Sequence, residues 1–224
     1  MENVNSIFER LLLLPLFQGM NNADLTTLAG QTKFGFHRFA EGKEIIRDGS
    51  PCLQLCFLMS GTLSTTAVAD DHGYSVTEQV TAPAILQPER IFGLTQLYTR
   101  SYTALSACNC MTLDKSEVLR LMEEYVVFRI NLLNIVSTQS QRLQRRLWHQ
   151  QPRDLDQRII RFFEAHCLHP AGPKTLRIKM TRLAEELNDS RLNVSRALNR
   201  MQADGLISLH REHIEIPDMR RLLG

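Results

Sequence analysis

Arginine, asparagine and serine side chains line one side of a short predicted helix near the C-terminus. In the segment 191–203, Val194, Leu198 and Met201 recur at steps of four and three residues, which predicts that they form a buried helix face. Arginine can bind guanine through two parallel hydrogen bonds, and asparagine can do the same for adenine, so a polar face opposite could read base edges. That opposite face and the first helical turn carry Arg191, Leu192, Asn193, Ser195, Arg196 and Asn199.

A tight polar turn joins this helix to a short amphipathic helix before it. The earlier helix would bury Leu183, Ala184 and Leu187. The turn is Asn188-Asp189-Ser190, in which asparagine tolerates left-handed backbone angles and Ser190 is a good helix N-cap. Two helices joined in this way predict a helix-turn-helix, whose second helix enters the major groove of DNA.

Two short strands are predicted after the second helix. Asp204-Gly205 ends the helix, and apolar residues then alternate through 206–209 and 214–216, on either side of the tip His210-Arg211-Glu212-His213. This pattern is typical of a β-hairpin wing. The segment as a whole therefore predicts a winged helix-turn-helix that binds double-stranded DNA. The alternative is an ordinary helical hairpin with a solvated basic face.

The polar residues of this motif differ in expected role. Arg196 is central on the exposed face and is the candidate for a two-bond contact to guanine, while Arg191 could read a base or clamp a phosphate. Ser195 and Asn199 could contact either bases or the DNA backbone. Phosphate contacts position a protein without specifying sequence. We expect them from Arg182, Ser190, His210 and Arg211.

The distribution of charge agrees with a nucleic-acid partner at the C-terminal end. Residues 1–138 carry 10 Lys and Arg against 14 Asp and Glu, whereas residues 139–224 carry 16 against 10. The overall net charge of +2 therefore conceals an acidic front part and a basic back part. A basic C-terminal region is the electrostatic footprint expected of a domain that binds a polyanion.

The front part of the chain has the pattern of an antiparallel β-roll. Between residues 33 and 113, short apolar alternating runs are separated by Glu41-Gly42, Asp48-Gly49, Ser60-Gly61 and His72-Gly73. Strands at such close intervals with turn glycines predict a jelly-roll barrel or sandwich. With the C-terminal motif, the fold class is α+β.

A long helix is predicted between the two parts, because residues 115–151 contain neither Gly nor Pro. A second apolar stripe, Phe128, Leu132 and Ile135, could lie against the β-roll. The main stripe is close to a heptad repeat, as a coiled-coil homodimer interface requires, although a helix that packs only on its own domain is the alternative. That stripe consists of Met122, Val126, Leu133, Val136, Leu143 and Leu147.

Gln150-Gln151-Pro152-Arg153 breaks the helix and predicts a hinge, after which Asp154 would cap a helix over 155–167. We therefore expect a domain over 1–151, with the long helix at about 115–151, and a DNA-binding domain over 152–224. The longest apolar run, 11–16, is too short for a membrane span, so the protein should be soluble and cytoplasmic.

Neither the cysteines nor the histidines of the β-roll have the spacing of a metal or catalytic site. The five cysteines predict free, buried thiols in a reducing compartment: Cys52, Cys56, Cys108, Cys110 and Cys167. A cupin-like enzyme would need several clustered histidines, but the β-roll has only His37 and His72, far apart. We expect no enzyme activity, no metal and no cofactor. A scaffold that uses the winged domain for protein contacts is the other alternative.

In their order, these parts resemble the Crp/Fnr (cyclic-AMP receptor protein / fumarate-nitrate reduction regulator) family of bacterial transcription regulators. The resemblance implies a homodimer, an inverted-repeat operator and RNA polymerase as a partner. Leu192 stands where many members carry a glutamate that reads cytosine, so the operator should differ from the cyclic-AMP-receptor type. The motifs that carry the resemblance are Leu14-Pro-Leu-Phe17, Phe39-Ala-Glu-Gly42, Ile45-Ile-Arg-Asp-Gly49, Phe57-Leu-Met-Ser-Gly61, Ser190-Arg191, Val194-Ser195-Arg196 and Gly205-Leu206-Ile207-Ser208.

The sensor motifs of that family are incomplete in this sequence. Members that bind cyclic nucleotides use a Gly-Glu pair and then an Arg-Ser pair, whereas here Gly93 is followed by Leu94, which cannot bind ribose. Residues 1–51 contain no cysteine, unlike the iron–sulfur members. We therefore expect an unidentified small-molecule effector other than cyclic AMP, or none. The corresponding effector pocket would comprise Leu94, Thr99, Arg100, Ser101, Leu143 and Gln144.

Overall fold

The computed structural model describes residues 10–148, 152 and 154–223. The chain divides into two compact units, one of residues 1–63 with 80–145 and the other of residues 64–79 with 146–224. The predicted hinge falls at Gln150, Gln151 and Arg153, which lie outside the described residues. None of the helices in the described ranges is long and apolar enough to cross a bilayer.

The N-terminal unit is built on antiparallel strands, as the turn glycines predict. Its main sheet has the order β1-β8-β3-β6, in which Phe34 pairs with Leu113 and Phe57 with Met111. A second pair joins β2 to β7. The β-roll prediction is therefore confirmed. The strands are β1 (Phe34–Phe39), β2 (Glu44–Ile46), β3 (Gln54–Ser60), β6 (Ala84–Leu86), β7 (Ser101–Ala104) and β8 (Cys108–Asp114).

The helix after β8 is interrupted, contrary to the continuous helix predicted over 115–151. The structure has α2 (Lys115–Glu124) and α3 (Val126–Trp148), with Tyr125 in an extended conformation (φ −121°, ψ 103°) between them. The break lies at Tyr125, which is followed by Val126 and Val127, and all three residues have a modest helix propensity. Further helical elements of this unit include α1 (Asn22–Gln31) and the short 3-10 turns Pro15–Phe17 and Pro88–Arg90.

The apolar face of α3 that was expected to lie against the β-roll does so. Phe128 is fully buried, and its ring lies 5.5 Å from that of Phe17, which in turn lies 6.1 Å from that of Phe57. Leu132 is also buried. The Asn131 side chain donates hydrogen bonds to the carbonyls of residues 16 and 18, which fixes the helix to the N-terminal segment. The second apolar stripe is thus confirmed as a contact with the core.

The C-terminal unit contains the predicted winged helix-turn-helix and one additional β-hairpin. Residues 64–79, which include most of β4 (Thr62–Val68) and β5 (Tyr74–Thr81), cluster with this unit, so its extent differs from the predicted 152–224. The unit has the strand order β10-β11-β9-β5-β4. Its other elements are α4 (Leu155–His166), β9 (Lys174–Ile178), α5 (Met180–Glu186), α6 (Arg191–Ala203), β10 (Ser208–His210), β11 (His213–Ile216) and α7 (Arg220–Leu223).

The additional hairpin joins the unit because β9 forms backbone hydrogen bonds along both of its edges. One edge pairs with β11, and the other pairs antiparallel with β5 over the register Tyr74↔Ile178 to Glu78↔Lys174. A strand between two partners leaves no row of unpaired backbone groups. Such a pairing between distant segments has no signal in local sequence pattern, so the sequence alone does not reveal it.

The core of the C-terminal unit lies between its sheet and its helices. Ile159 and Phe163 of α4 pack with Leu176 of β9 and with Val194 and Leu198 of α6, all nearly inaccessible to solvent. Their burial matches the helical and strand periodicities of the sequence. The core therefore fixes the orientation of α6, whose other face remains available.

Candidate nucleic-acid interface

The turn before α6 has the local geometry that its residue types predict. Asn188 adopts a left-handed conformation (φ 49°), which asparagine tolerates better than most residues. The Ser190 hydroxyl accepts a hydrogen bond from the Asn193 N–H at 3.2 Å and so caps the helix. Both local predictions are confirmed, and α6 begins at Arg191 as a result.

An arginine of α4, Arg158, binds the residues of this turn and holds them in place. The Arg158 guanidinium donates to the Leu187 carbonyl at 2.6 Å and forms an ion pair with Asp189. Asp189 also accepts hydrogen bonds from the Asn193 side chain and the Ser190 N–H. These hydrogen bonds, that from Asn193 foremost, lower the pKa of Asp189. The carboxylate therefore remains ionised and holds the turn, a role that the sequence did not reveal.

The outer face of α6 presents the predicted cationic residues to solvent. Arg191 and Arg196 are exposed, and neither guanidinium is held by an ion pair or hydrogen bond within the described part of the chain. Leu192 lies beside them with 59% of its surface exposed. The Asn199 amide donates to the Ser195 carbonyl at 2.8 Å and lies 3.4 Å from its hydroxyl, so these two side chains form one polar group. The arrangement is a continuous strip along one helix face.

The face of α6 that turns inward is apolar and nearly inaccessible. Val194, Ala197 and Leu198 have no exposed surface, and Met201 retains 4%. Deleting methyl groups at such positions leaves a cavity. The buried face thus anchors the helix, while the exposed strip can differ without affecting the fold.

The wing is present and carries a basic tip. β10 and β11 pair over three residue pairs, and Glu212 adopts a left-handed conformation (φ 67°) in the turn between them. Arg211 is exposed at the tip and has no partner among the side chains described. His210 lies 3.3 Å from the Glu215 carboxylate. Arg211 is thus available to a phosphate, whereas His210 already faces a carboxylate.

Two arginines near the helix-turn-helix are engaged in ion pairs. Arg182, expected as a phosphate contact, lies 2.7 Å from both Asp71 and Glu186 and 3.5 Å from Glu185. A phosphate contact by Arg182 would have to replace these carboxylates, and that role stays a prediction. Arg200 is exposed on α6 but lies 2.7 Å from Asp156. Its side chain therefore braces α6 against α4.

A groove beside α6 adds two residues that the sequence did not single out, Lys179 and Thr181. The groove lies between the start of α5, the start of α6 and the wing, and its lining includes Lys179, Thr181, Arg191 and His210. Lys179 and Thr181 flank the first residue of α5, and both are exposed. Residues at the start of the first helix of this motif lie near the DNA backbone when the second helix is in the groove. The sequence signal that could have identified Lys179 and Thr181 is their place at the start of the first helix of the motif.

The predicted dimer stripe is interrupted at one end and exposed along its middle. Met122 lies on α2, before the break, and the Leu147 side chain lies outside those described. The structure adds Ile130, which is 48% exposed, to the stripe on α3. The other exposed apolar residues of the stripe are Val126, Leu133, Val136 and Leu143.

The proposed effector residues differ in exposure and in hydrogen bonding, and their role stays a prediction. Leu94 is fully exposed after the turn at Gly93. The Thr99 hydroxyl accepts a hydrogen bond from the Gln87 side chain, and the Ser101 hydroxyl accepts one from the Asp48 N–H. Both hydroxyls are thus positioned by hydrogen bonds within the β-roll, in which they act as acceptors. Leu143 and Gln144 are exposed on α3, and Arg100 is partly buried with a further interaction of its own.

The thiols and the β-roll histidine behave as structural groups. All five cysteines are free and buried, as predicted. Burial raises the pKa of the Cys52 thiol. His37 lies 3.3 Å from the Thr112 hydroxyl. These groups offer no assembled metal or nucleophile site in the described part of the β-roll.

Comparison with known families assigns both parts of the chain. Residues 36–125 match the cyclic nucleotide-binding domain family, and residues 141–224 match the Crp-like helix-turn-helix domain family. The matched segments contain the β-roll, α2 and the winged helix-turn-helix. Both were expected from the order of elements in the sequence.

Individual relatives agree with this assignment. The global nitrogen regulator of Synechococcus elongatus is 24% identical over 206 residues, which cover 84% of this chain and 88% of that protein. The sensor domain of the transcriptional regulator DNR from Pseudomonas aeruginosa superposes with a TM-score of 0.55 at 18% identity, covering 69% of this chain and 99% of that structure.

A third relative spans both units. A putative Crp/Fnr-family regulator from Eubacterium rectale superposes with a TM-score of 0.50 at 20% identity, over 94% of this chain and 97% of that structure. Structural likeness at this identity establishes the fold. Together with the two domain families, it leads to one conclusion: the chain belongs to the Crp/Fnr family of DNA-binding transcription regulators.

Proposed function

We propose that the protein is a homodimeric transcription regulator that reads an inverted-repeat operator through α6, under the control of an effector other than cyclic AMP or of none. The single observation that carries this proposal is the unpaired strip of Arg191 and Arg196 on the exposed face of α6. A guanidinium group that is not paired with a carboxylate of the protein is free to bind guanine or phosphate. A purely structural helix would not need to leave both guanidinium groups unpaired.

The base preference follows from the side chains of the strip. Arg196 lies in the centre and would bind the O6 and N7 atoms of guanine. Leu192 can only make apolar contacts, so it would pack on a thymine methyl group. Arg211 and Lys179 would contact phosphates at either side and fix the register without choosing a sequence.

The apolar stripe of α3 supports a homodimer. Ile130, Leu133 and Leu143 each expose about half of their surface or more, and a sustained apolar stripe on a long helix is the pattern of a helix–helix interface. Two recognition helices would then enter successive major grooves about 34 Å apart, the spacing known for helix-turn-helix dimers, which include a member of this family. The operator would therefore be an inverted repeat.

The chemistry around the β-roll supports an effector that differs from cyclic AMP. Leu94 stands where the cyclic-nucleotide-binding members of the family carry a glutamate, and its apolar side chain offers no acceptor to a ribose. The hydroxyls of Thr99 and Ser101 accept hydrogen bonds from the Gln87 side chain and the Asp48 N–H, so their positions are set by the β-roll. We expect no shift in melting temperature when cyclic AMP is added. A saturable stabilising shift would contradict this part of the proposal.

A regulator of this class acts where the chromosome and RNA polymerase are. We therefore place the protein in the bacterial cytoplasm, with RNA polymerase as its partner at the promoter. The rival functions are a scaffold that uses the winged unit to bind proteins and a cupin-like enzyme. A cupin-like enzyme needs a histidine cluster inside its barrel, and the described part of the β-roll has none, so this observation does not support the enzyme.

The test is DNA binding by the purified full-length protein. Genomic fragments that the protein retains would be selected and sequenced, and binding to the selected site would be measured by gel shift across a salt series. Arg196→Ala should weaken specific binding by roughly 1–3 kcal/mol and relax the preference at one base pair in each half-site. Arg196→Lys is the matched control for charge, because lysine keeps the charge but lacks the two-bond geometry.

The two variants separate the possible results. If Arg196→Lys also loses the base preference while keeping non-specific affinity, Arg196 reads a base. If Arg196→Ala binds the operator and random DNA as the wild type does, the assignment of Arg196 is wrong. If the protein retains no genomic fragment, or if any residual affinity for DNA does not fall as the salt concentration rises, the scaffold function is favoured instead.

A further inference from the structure

Three side chains that bind transition metals lie together on one face of the wing. His213 and Glu215 are two residues apart on β11, so both point to the same side of the hairpin. His210 is the cross-strand partner of His213, which brings it to the same side. One ligand atom from each of the three side chains lies within 4.8 Å of the other two. The hairpin register alone thus assembles two imidazoles and one carboxylate.

The distances between these atoms suit a bound ion. The Glu215 carboxylate oxygens lie 3.3 Å from His210 Nε2 and 3.7 Å from His213 Nε2. In a tetrahedral zinc site with metal–ligand bonds of about 2.0–2.1 Å, neighbouring ligand atoms are about 3.3–3.4 Å apart. The imidazole rings are nearly parallel, with centroids 4.5 Å apart. Because parallel rings cannot both direct their Nε2 lone pairs at one ion, at least one of these partly exposed side chains would rotate when the ion binds.

The second nitrogen of His213 is held in the manner of a metal-binding histidine. Nδ1 lies 3.3 Å from the Arg211 carbonyl oxygen. A carbonyl only accepts hydrogen bonds, so a hydrogen bond here requires the proton on Nδ1. In the neutral imidazole, the form that binds metals, the lone pair is then on Nε2, the atom that faces Glu215. A backbone carbonyl that fixes the tautomer in this way is the usual outer-shell partner of a metal-binding histidine.

The strands that carry the three side chains are fixed in place. β11 pairs with β10 on one side and with β9 on the other. The Leu209 N–H donates to the Gln202 side chain of α6 at 2.7 Å, which ties β10 to the recognition helix. Ligands on rigid strands lose less freedom on binding than ligands on a loop, so the site is preorganised.

We propose that the wing binds one divalent transition-metal ion of the zinc class through His210, His213 and Glu215, with water in the remaining coordination positions. Two imidazoles favour borderline metals over Ca²⁺ or Mg²⁺, which prefer oxygen ligands. The ion would join the two wing strands and add positive charge beside Arg211. The site rests on the geometry of the wing alone, so it stands or falls independently of the proposed DNA binding.

The test is a competition titration of the metal-stripped, full-length protein with Zn²⁺ against a chromophoric chelator, without DNA. The wild type should bind one Zn²⁺ per chain at this site. His213→Ala and Glu215→Gln should each weaken that binding by about 100-fold or more, because the loss of an outer-shell partner alone costs about 10–100-fold. Melting curves would show that both variants fold, and Zn²⁺ should raise the melting temperature of the wild type but not that of these two variants.

Two matched controls exclude simpler explanations. Glu212→Gln removes an exposed carboxylate from the same turn, but Glu212 contributes no atom to the cluster. His72→Asn removes a histidine from the tip of a different hairpin at a left-handed position that asparagine tolerates. Both should bind Zn²⁺ as the wild type does.

Substitution with Co²⁺ distinguishes the wing from the cysteines. Binding at the wing should give the visible bands of nitrogen- and oxygen-coordinated Co²⁺ without a thiolate charge-transfer band. A thiolate band, equal affinity in the wild type and His213→Ala, or no saturable binding at millimolar metal would each overturn the proposal.

Discussion

A nearly inaccessible ion pair between β5 and β9 permits a quantitative test of how the C-terminal unit is held together. The side chains of Glu78 and Lys174 are 3% and 2% exposed, and Nζ lies 3.7 Å from Oε1. Glu78 also accepts the Leu168 N–H at 3.0 and 2.8 Å, and Lys174 donates to the carbonyls of Ala171 and Gly172 at 2.9 and 3.0 Å. Both charges are therefore compensated by the partner and by the backbone.

Lys174→Met removes one charge of this pair and leaves the other buried. The methionine fills a similar volume, but the Glu78 carboxylate then keeps only its remaining hydrogen-bond partners at a position that is nearly inaccessible to solvent. Removing one partner of a buried pair costs about 3–5 kcal/mol, chiefly because the remaining charge is uncompensated. We expect Lys174→Met to lower the free energy of unfolding of the C-terminal unit by that amount, and Glu78→Gln to do the same.

The double variant shows whether the pair itself is responsible. Glu78→Gln with Lys174→Met leaves two neutral side chains, so its cost should fall below the sum of the single costs by about 1–3 kcal/mol. Asp156→Asn is the control, because its pair with Arg200 is 32% and 60% exposed and should be worth less than about 1 kcal/mol.

The assay must report on the C-terminal unit, because a chain of two units can unfold in two steps. Urea denaturation followed by circular dichroism gives the free energies. The Ile178 N–H bonds to the wing, so the alternate β9 amides of Thr175 and Arg177 face β5, and hydrogen exchange at these two amides reports on the β5–β9 pairing directly. Single variants that cost less than about 1 kcal/mol, or costs that simply add, would show that the two charges do not depend on each other.

Three further predictions address dimerisation, DNA contacts and the thiols. Leu133→Glu should turn dimers into monomers in sedimentation experiments, whereas Asn134→Glu, on the adjacent exposed position, should not; a variant Leu133→Glu that stays dimeric would place the interface elsewhere. Arg211→Ala should reduce the slope of log affinity against log salt by about 1 and leave the base preference unchanged; a changed preference would make Arg211 a base contact. Cys52 is buried, and burial raises the pKa of its thiol, so labelling in the native state should be slow at neutral pH and should accelerate as the pH approaches the raised pKa; rapid labelling at neutral pH would contradict its placement.

The helix-turn-helix could be predicted from the sequence because its determinants are local. Asn188 and Ser190 lie within three residues of the groups whose conformation they decide, and the structure shows both in the expected roles. The alternation that predicts the wing spans eleven residues and is likewise confirmed. The core residues Val194 and Leu198 follow from a single helical period.

The break between α2 and α3 and the placement of the β4–β5 hairpin could not be predicted in the same way. At Tyr125 no Gly or Pro marks a helix end, and only a modest lowering of helix propensity distinguishes the position. The pairing of β5 with β9 joins residues about 100 positions apart, such as Tyr74 and Ile178. Alternating residues predict that each segment is a strand, but they do not choose its partner.

The consequence for function is that the count of basic residues overstates the surface that remains for DNA. Arg158, Arg182 and Arg200 all contribute to the positive charge of the C-terminal region, yet each is matched to a carboxylate in the folded unit. For Arg182 one of these is Asp71, which the β4–β5 hairpin supplies from far away in sequence. A guanidinium already paired gains less from a phosphate, because the existing ion pair must first be broken. We therefore expect the DNA-binding surface to depend on arginines of the recognition helix and wing that folding leaves without a carboxylate, such as Arg191, Arg196 and Arg211, more than on the total charge.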